Sequence, residues 1–196
     1  MSATNRGGER KPQDLYVTPP HVAAAISRWA LSKMVCSPVR VLEPGCSTDA
    51  PFLSAVAERM PERPEVLYTG VELSGTSGGL GRLLFGTDYL TWEPGEDFDL
   101  IIGNPPYSLA RQFLVKSFDL LRAPGMIVFL LRLPWLESKG RYRMHQICPP
   151  DYVGVIVPRP SFTGGGSDAT AYAAFAYCRP MRFREPRVDW IATEEI

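Results

Sequence analysis

The sequence predicts an α/β fold on an open, mostly parallel sheet, and three stretches predict it. Residues 39–46 (VRVLEPGC) are an apolar run closed by a turn, followed by Phe52, Leu53, Val56, Ala57 and Met60 at helical spacing. Strand, glycine turn and helix in that order open a nucleotide-binding α/β unit. Residues 100–102 are a second apolar run that stops at Gly103-Asn104-Pro105-Pro106-Tyr107, ahead of another helix. Residues 125–131 (GMIVFLL) are apolar throughout, the pattern of a central strand buried on both faces.

Composition bounds the rest. At 196 residues, 45% hydrophobic and 21% charged, the chain reads as one globular domain with a sizeable core. It has no apolar run of membrane-spanning length and no signal-peptide pattern, so a cytoplasmic setting and no membrane partner are expected. Cys36, Cys46, Cys148 and Cys178 lie far apart without a C-x-x-C, and there are two histidines. That pattern argues against a zinc site or a disulfide framework. The zero net charge hides an asymmetry: residues 1–131 are net −2, residues 132–187 net +5, and the last nine net −3. A basic segment in a neutral chain points to a polyanionic partner or to a solvated face.

Residues 1–13 are polar and aperiodic and read as a flexible tail, with one domain over 14–187 and a C-terminal tail over 188–196. Thr18 is a candidate N-cap with Pro19 at the first helical position, and Val22, Ile26, Trp29 and Lys33 share one face of a helix reaching about Met34. Residues 66–73 form a second strand ending in Glu72 and Leu73. A carboxylate at that place can accept both hydroxyls of a ribose. Residues 74–82 are too rich in glycine for a stable helix and read as an irregular crossover. Residues 123–125 stop the helix that begins after Tyr107. Beyond the apolar strand at 125–131, residues 137–145 look helical and carry Lys139, Arg141 and Arg143, with Arg132 just before them. Residues 152–157 and 171–177 are two more strands. Between them, a glycine-rich loop holds Arg159 and Phe162.

The turn at 103–107 carries the chemistry. Two prolines stiffen it and keep Asn104 out of the helical region, and Ser108 is placed to cap the following helix, with Leu109, Phe113, Leu114, Phe118 and Leu121 at helical spacing. An exocyclic purine amine is a poor nucleophile because its lone pair is delocalised into the ring. Two acceptors on its N–H bonds, the Asn104 side-chain oxygen and the Pro105 carbonyl, pull the nitrogen towards tetrahedral geometry and free that pair. No side chain of tuned pKa is required when the methyl donor is a sulfonium. The work is positioning and electrostatics. Tyr107 can stack on the base. The same turn also reads as a strand-ending proline turn with a capping asparagine.

Asn104-Pro105-Pro106-Tyr107 resembles the motif of class I S-adenosylmethionine-dependent amino-methyltransferases. The resemblance extends over residues 14 to about 180. It implies a Rossmann-like seven-stranded, mostly parallel sheet with an antiparallel last strand and helices on both faces. It implies S-adenosylmethionine as cofactor, with Tyr16, Thr18 and Pro19 closing over its methionine end and Glu43-Pro44-Gly45-Cys46 as the cofactor loop. By the same resemblance, Glu72 and Leu73 are at the ribose, Asp88 at the adenine amine, and Tyr89 or Leu90 packs on that ring. The loop departs from the family pattern, with Ser47 and Asp49 where two further glycines stand and an extra Pro51 before Phe52. Residues 158–170 resemble the Arg-Pro-Ser-Phe-Thr-Gly-Gly-Gly run of small phage-type DNA adenine methyltransferases. That likeness implies a bacterial or phage setting and DNA as partner, and no metal is expected from the cysteine and histidine pattern. Arg132, Lys139, Arg141, Arg143, Arg159 and Phe162 are then the candidates to meet it. RNA adenine, a protein glutamine, or a non-catalytic binding role are the alternatives.

Overall fold

The computed structural model of the chain describes residues 17–75, 81–162, 169–183 and 185–194. Among these, β1 (Arg40–Pro44), β2 (Leu67–Glu72), β3 (Arg82–Phe85), β4 (Phe98–Gly103), β5 (Leu121–Arg132), β6 (Tyr152–Val157), β7 (Tyr172–Arg179) and β8 (Arg187–Ala192) form one sheet. Its order is β3-β2-β1-β4-β5-β7-β6-β8. The first five strands pair in parallel, β7 runs antiparallel to both β5 and β6, and β8 is parallel to β6. The helices are α1 (Pro20–Lys33), α2 (Pro51–Ala57), α3 (Ala110–Leu120) and α4 (Tyr142–Ile147).

The strand alternation sorts the core onto two faces, as the period of two requires. Val41, Leu100, Ile102, Met126, Val128, Ala174 and Ala176 pack under α1 and α2. Leu42, Ile101, Ile127, Phe129, Phe175 and Tyr177 pack under α3. Helices on both faces explain why the central strands are continuously apolar. Phe52 and Phe129 are fully buried, each worth roughly 1.5–3 kcal/mol of apolar burial.

The structure corrects two expectations about the sheet. The described sheet has eight strands rather than seven, and the antiparallel strand is β7, the last but one. The segment expected as a C-terminal tail from residue 188 is most of β8, in register with β6 from Tyr152↔Arg187 to Val157↔Ala192. Its acidic residue is not there for solvation. The Asp189 carboxylate accepts the Trp29 indole N–H at 2.9 Å and pairs with Lys33 at 2.7 Å, which draws the strand against α1. The expected tail at 1–13 lies outside the described residues. So do residues 76–80 of the expected crossover.

Helix starts also differ. Pro19, not Thr18, is the N-cap of α1, and Leu109, not Ser108, that of α3; neither makes a side-chain cap hydrogen bond. The expected stop at 123–125 is the first part of a twelve-residue β5 that begins directly after α3. Two buried aspartates tie strands together. Asp99 accepts the Val39 and Arg40 N–H groups at 2.8 Å each. Asp151 accepts three backbone N–H groups, from Cys178, Arg182 and Phe183, at 2.6–2.9 Å.

Candidate active site

The carboxyl ends of β1, β2 and β4 open onto one cavity of about 350 Å³. Small-molecule sites run from roughly 300 to 1,000 Å³ and sit at this edge of open α/β sheets. Of the residues named from sequence, Thr18, Glu43, Gly45, Cys46, Glu72, Leu73, Asp88, Tyr89, Asn104 and Pro106 line it. Pro19, Pro44, Pro105 and Tyr107 do not. Pro19 ends the approach to α1 and Pro44 ends β1 inside the sheet. Tyr107 packs against Tyr172 and Arg132 instead. Tyr16 lies outside the described residues.

The loop after β1 shows how the chain manages without the missing glycines. Gly45 (φ +67°), Ser47 (φ +53°) and Ala50 (φ +40°) all take left-handed backbone. The turn therefore keeps a glycine-like conformation at Ser47 despite the side chain. Pro51 is the first residue of α2, where its fixed φ suits a helix start, and this accounts for the additional residue. The loop lies close to the 103–107 turn: a Cβ built on Gly45 would sit 3.8 Å from Pro106 Cδ. The Ser47 hydroxyl is buried, lines the cavity and has no partner among the described residues. A left-handed non-glycine residue costs roughly 1–2 kcal/mol, partly offset by glycine's larger unfolded-state entropy. Ser47→Gly is therefore expected to stabilise the chain by about 0.5–1 kcal/mol, read as a raised urea midpoint at unchanged slope.

Glu43 and Glu72 hold this loop from below. One Glu43 oxygen accepts the N–H groups of Phe52 (3.1 Å) and Leu53 (2.9 Å). Burial pushes its carboxyl well above the ordinary range, against the lowering by those two donors. The folded chain thus keeps a proton that the unfolded chain has released, and stability falls as pH rises from about 4.5 towards the folded value. Glu43→Gln keeps an oxygen for both donors and cannot ionise. Its stability advantage over the native chain should grow as pH rises above about 4.5 in urea titrations. Glu72 accepts Ser47 N–H at 3.0 Å through one oxygen, and the N–H and hydroxyl of Ser74 at 2.9 Å through the other. The oxygen that holds the Ser47 N–H keeps a further lone pair, while the other is filled by Ser74.

Asp88 is exposed. One oxygen accepts the Leu90 N–H at 2.9 Å in an Asx turn, and the other remains an acceptor. Tyr89 is 3% exposed, its hydroxyl 2.8 Å from Ser117 Oγ and its ring 4.9 Å from Phe113. Burial raises its phenol pKa. It is a core residue with one edge on the cavity.

The 103–107 turn leaves β4 at Gly103, where a Cβ would meet the Pro44 carbonyl at 3.1 Å, so glycine permits this close approach of β1 and β4. Asn104 Nδ2 donates to the Thr18 hydroxyl at 3.1 Å, across 86 residues of sequence. Thr18 is 3% exposed and thereby orients the amide it holds. On the far side, the Arg132 guanidinium lies 4.9 Å from the Tyr107 ring centre. The Tyr107 ring is 6.2 Å from Tyr172, and Phe162 is 4.9 Å from Tyr172.

Arg141 donates to the carbonyls of Trp135 (2.8 Å) and Pro134 (3.1 Å). Arg159 is exposed and donates to the Ala169 carbonyl at 3.3 Å. Lys139 and Arg143 are exposed. Sequence reasoning missed Phe113, Leu109 and Ser47 as cavity walls, and Tyr172 in the aromatic wall. The i, i+4 spacing of Leu109 and Phe113 was a usable signal. Tyr172 had none, because pairing of β7 with β5 opposite Arg132 brings it in.

No family model matches the chain. Type II methyltransferase M.TthHB8I of Thermus thermophilus is 34% identical over 50% of this chain and 30% of that protein. Type II methyltransferase M.CvrRI of Paramecium bursaria Chlorella virus XZ-6E is 37% identical over 36% of this chain and 19% of that protein. The chain spans less than a third of the length of these curated relatives. A solved structure from Listeria monocytogenes, assigned to the class I S-adenosylmethionine-dependent methyltransferases, superposes with a TM-score of 0.70 at 11% identity. It covers 89% of this chain and 65% of that one. The fold is that of the class I S-adenosylmethionine-dependent methyltransferases. In this methyltransferase fold β8 extends the β6 edge of the sheet, away from the cavity. Among the described residues no helix is long and apolar enough to cross a membrane, and no group of three metal-ligating side chains converges.

Proposed function

We propose that the chain transfers a methyl group from S-adenosylmethionine to the exocyclic amine of adenine in DNA, with the base turned out of the duplex. One observation carries this reading. The Asn104 amide, held by the Thr18 hydroxyl, stands between a cavity of cofactor size and a wall of aromatic rings.

The cavity residues suit the cofactor. Glu72 closes β2 on the cavity with one acceptor site left for a ribose hydroxyl, and Asp88 offers an oxygen to an adenine amine. The unpartnered Ser47 hydroxyl and the close approach of Gly45 to Pro106 make a small polar cradle beside Asn104. S-adenosylmethionine supplies an electrophilic sulfonium methyl. The chain supplies position and polarity. Asn104 Oδ1 and the Pro105 carbonyl accept the two N–H bonds of the target amine and localise its lone pair. Tyr107 stacks on the extruded base, with Phe162 and Tyr172 extending the wall. The names of the curated relatives, both Type II methyltransferases, agree with a DNA acceptor.

The test offers labelled S-adenosylmethionine with unmethylated duplex DNA, total RNA and protein extract in parallel, and digests the products for mass spectrometry. Label as 6-methyladenine in DNA, lost in Asn104→Ala, is the expected result. Label in RNA or on glutamine would replace the acceptor while keeping the turn's chemistry. A folded chain that transfers no methyl group to any acceptor would overturn the reading.

A further inference from the structure

The segment between β5 and β6 is unused by the chemistry above, and its position is informative. β5 runs three residues past Phe129, the register partner of Gly103, and Arg132 reaches the Tyr107 ring. Residues 133–147 therefore leave the sheet beside the 103–107 turn. They fold as two 3₁₀ turns (Leu133–Leu136 and Lys139–Arg141) and α4.

This segment has distinct inward and outward sets of side chains. Trp135 is 6% exposed and donates to the Tyr177 hydroxyl at 3.0 Å. Arg141 Nε donates to the Trp135 carbonyl at 2.8 Å, and its guanidinium covers the indole at 4.5 Å. A His145 ring nitrogen lies 3.2 Å from the same carbonyl. Arg141 and His145 thus serve the fold. Lys139 and Arg143 point outward with no ion-pair partner among the described residues, and between them Tyr142 is 64% exposed. Glu137 is the sole acid in residues 133–147, inside a segment of net charge +5.

We propose that this element is the platform that docks the duplex flanking the target base, with Lys139 and Arg143 on phosphates and Tyr142 against the backbone between them. The inference rests on the DNA reading above. An exposed tyrosine between two cations without an ion pair among the described residues, on a segment anchored through Trp135 beside the turn, matches a polyanion in charge and donors. It also separates docking from chemistry, because none of the three residues lines the cofactor cavity.

The test is equilibrium binding of the full chain to a labelled unmethylated duplex across a salt series. Each lost phosphate contact lowers the slope of log K against log salt by about 0.9. The double variant Lys139→Ala/Arg143→Ala should therefore lose about 1.8 from the slope at an unchanged melting temperature. Its S-adenosylmethionine binding by calorimetry should be unchanged. Tyr142→Ala should weaken binding and leave the slope alone. Arg141→Ala should instead melt at a lower temperature. A double variant with the native slope, in a chain that does bind duplex, overturns the platform and spares the DNA reading. A chain that binds S-adenosylmethionine but no duplex overturns the DNA reading and the platform with it.

Discussion

Asn104→Ala is expected to lower the methyl-transfer rate by about 10²–10³-fold, the usual cost of removing one positioned polar group from a reacting centre. On the proposed mechanism the loss falls on kcat, because the amide would act on charge that develops as the amine attacks. Binding of S-adenosylmethionine, measured by calorimetry, should change far less. The Thr18 contact refines this expectation. Thr18→Val keeps the volume of a buried side chain but removes the acceptor for Asn104 Nδ2. The amide then loses its fixed orientation, and its oxygen faces the target amine for only part of the time. A drop of about tenfold in kcat is expected, the equivalent of one hydrogen bond of about 1.4 kcal/mol. In Asn104→Ala the Thr18 substitution should add little, since there is no amide left to orient. Additive losses in that double variant would show that Thr18 acts elsewhere.

Asp151→Ala should be the most destabilising single change in the β6–β8 region. The carboxylate is 1% exposed and accepts N–H groups of Cys178 (2.7 Å), Arg182 (2.6 Å) and Phe183 (2.9 Å). Alanine leaves the Cys178 N–H unsatisfied in a buried setting and takes the acceptor from the part-buried Arg182 and Phe183 N–H groups. At roughly 1–3 kcal/mol for each orphaned group, and without full additivity, the loss is about 3–5 kcal/mol. For a chain of this length that is a fall in Tm of roughly 10 °C. Asp151→Asn keeps one acceptor oxygen for Arg182 and Phe183 and should recover part of the loss. An alanine variant that melts with the native chain would sink this account.

The mutations differ in reach for a structural reason. Asp151 joins β6 to β7 and to the connector ahead of β8, so its removal loosens one edge of the sheet. Asn104 sits at the end of a central strand that is fully buried. Its loss leaves the scaffold intact and removes one acceptor.

Much of the site was legible because strand ends constrain chemistry locally. Pro105 and Pro106 restrict their own φ and the residues before them, so Asn104 had to be extended wherever β4 lay. Glu43, Glu72 and Asn104 each follow or end an apolar run, and parallel strands bring such ends to one edge. The loop after β1 was half legible. Its departure from the glycine pattern was visible, but not that Ser47 would take the left-handed conformation anyway.

The α/β class, the stiff strand-ending turn at 103–107, and the acids that line the cavity could all be read along the chain. These depend on φ restriction and on hydrophobic period, which act over a few residues. Packing was needed to show that Thr18 orients Asn104 instead of capping α1, and that Tyr172 completes the aromatic wall. Packing also spends Arg141 on Trp135 and makes Arg187–Ala192 a strand held to α1 through Asp189. Most of these are contacts between elements far apart in the chain. A polar side chain such as Asp189 or Arg141 carries no mark of whether its partner will be water or a protein donor or acceptor until packing has removed the water.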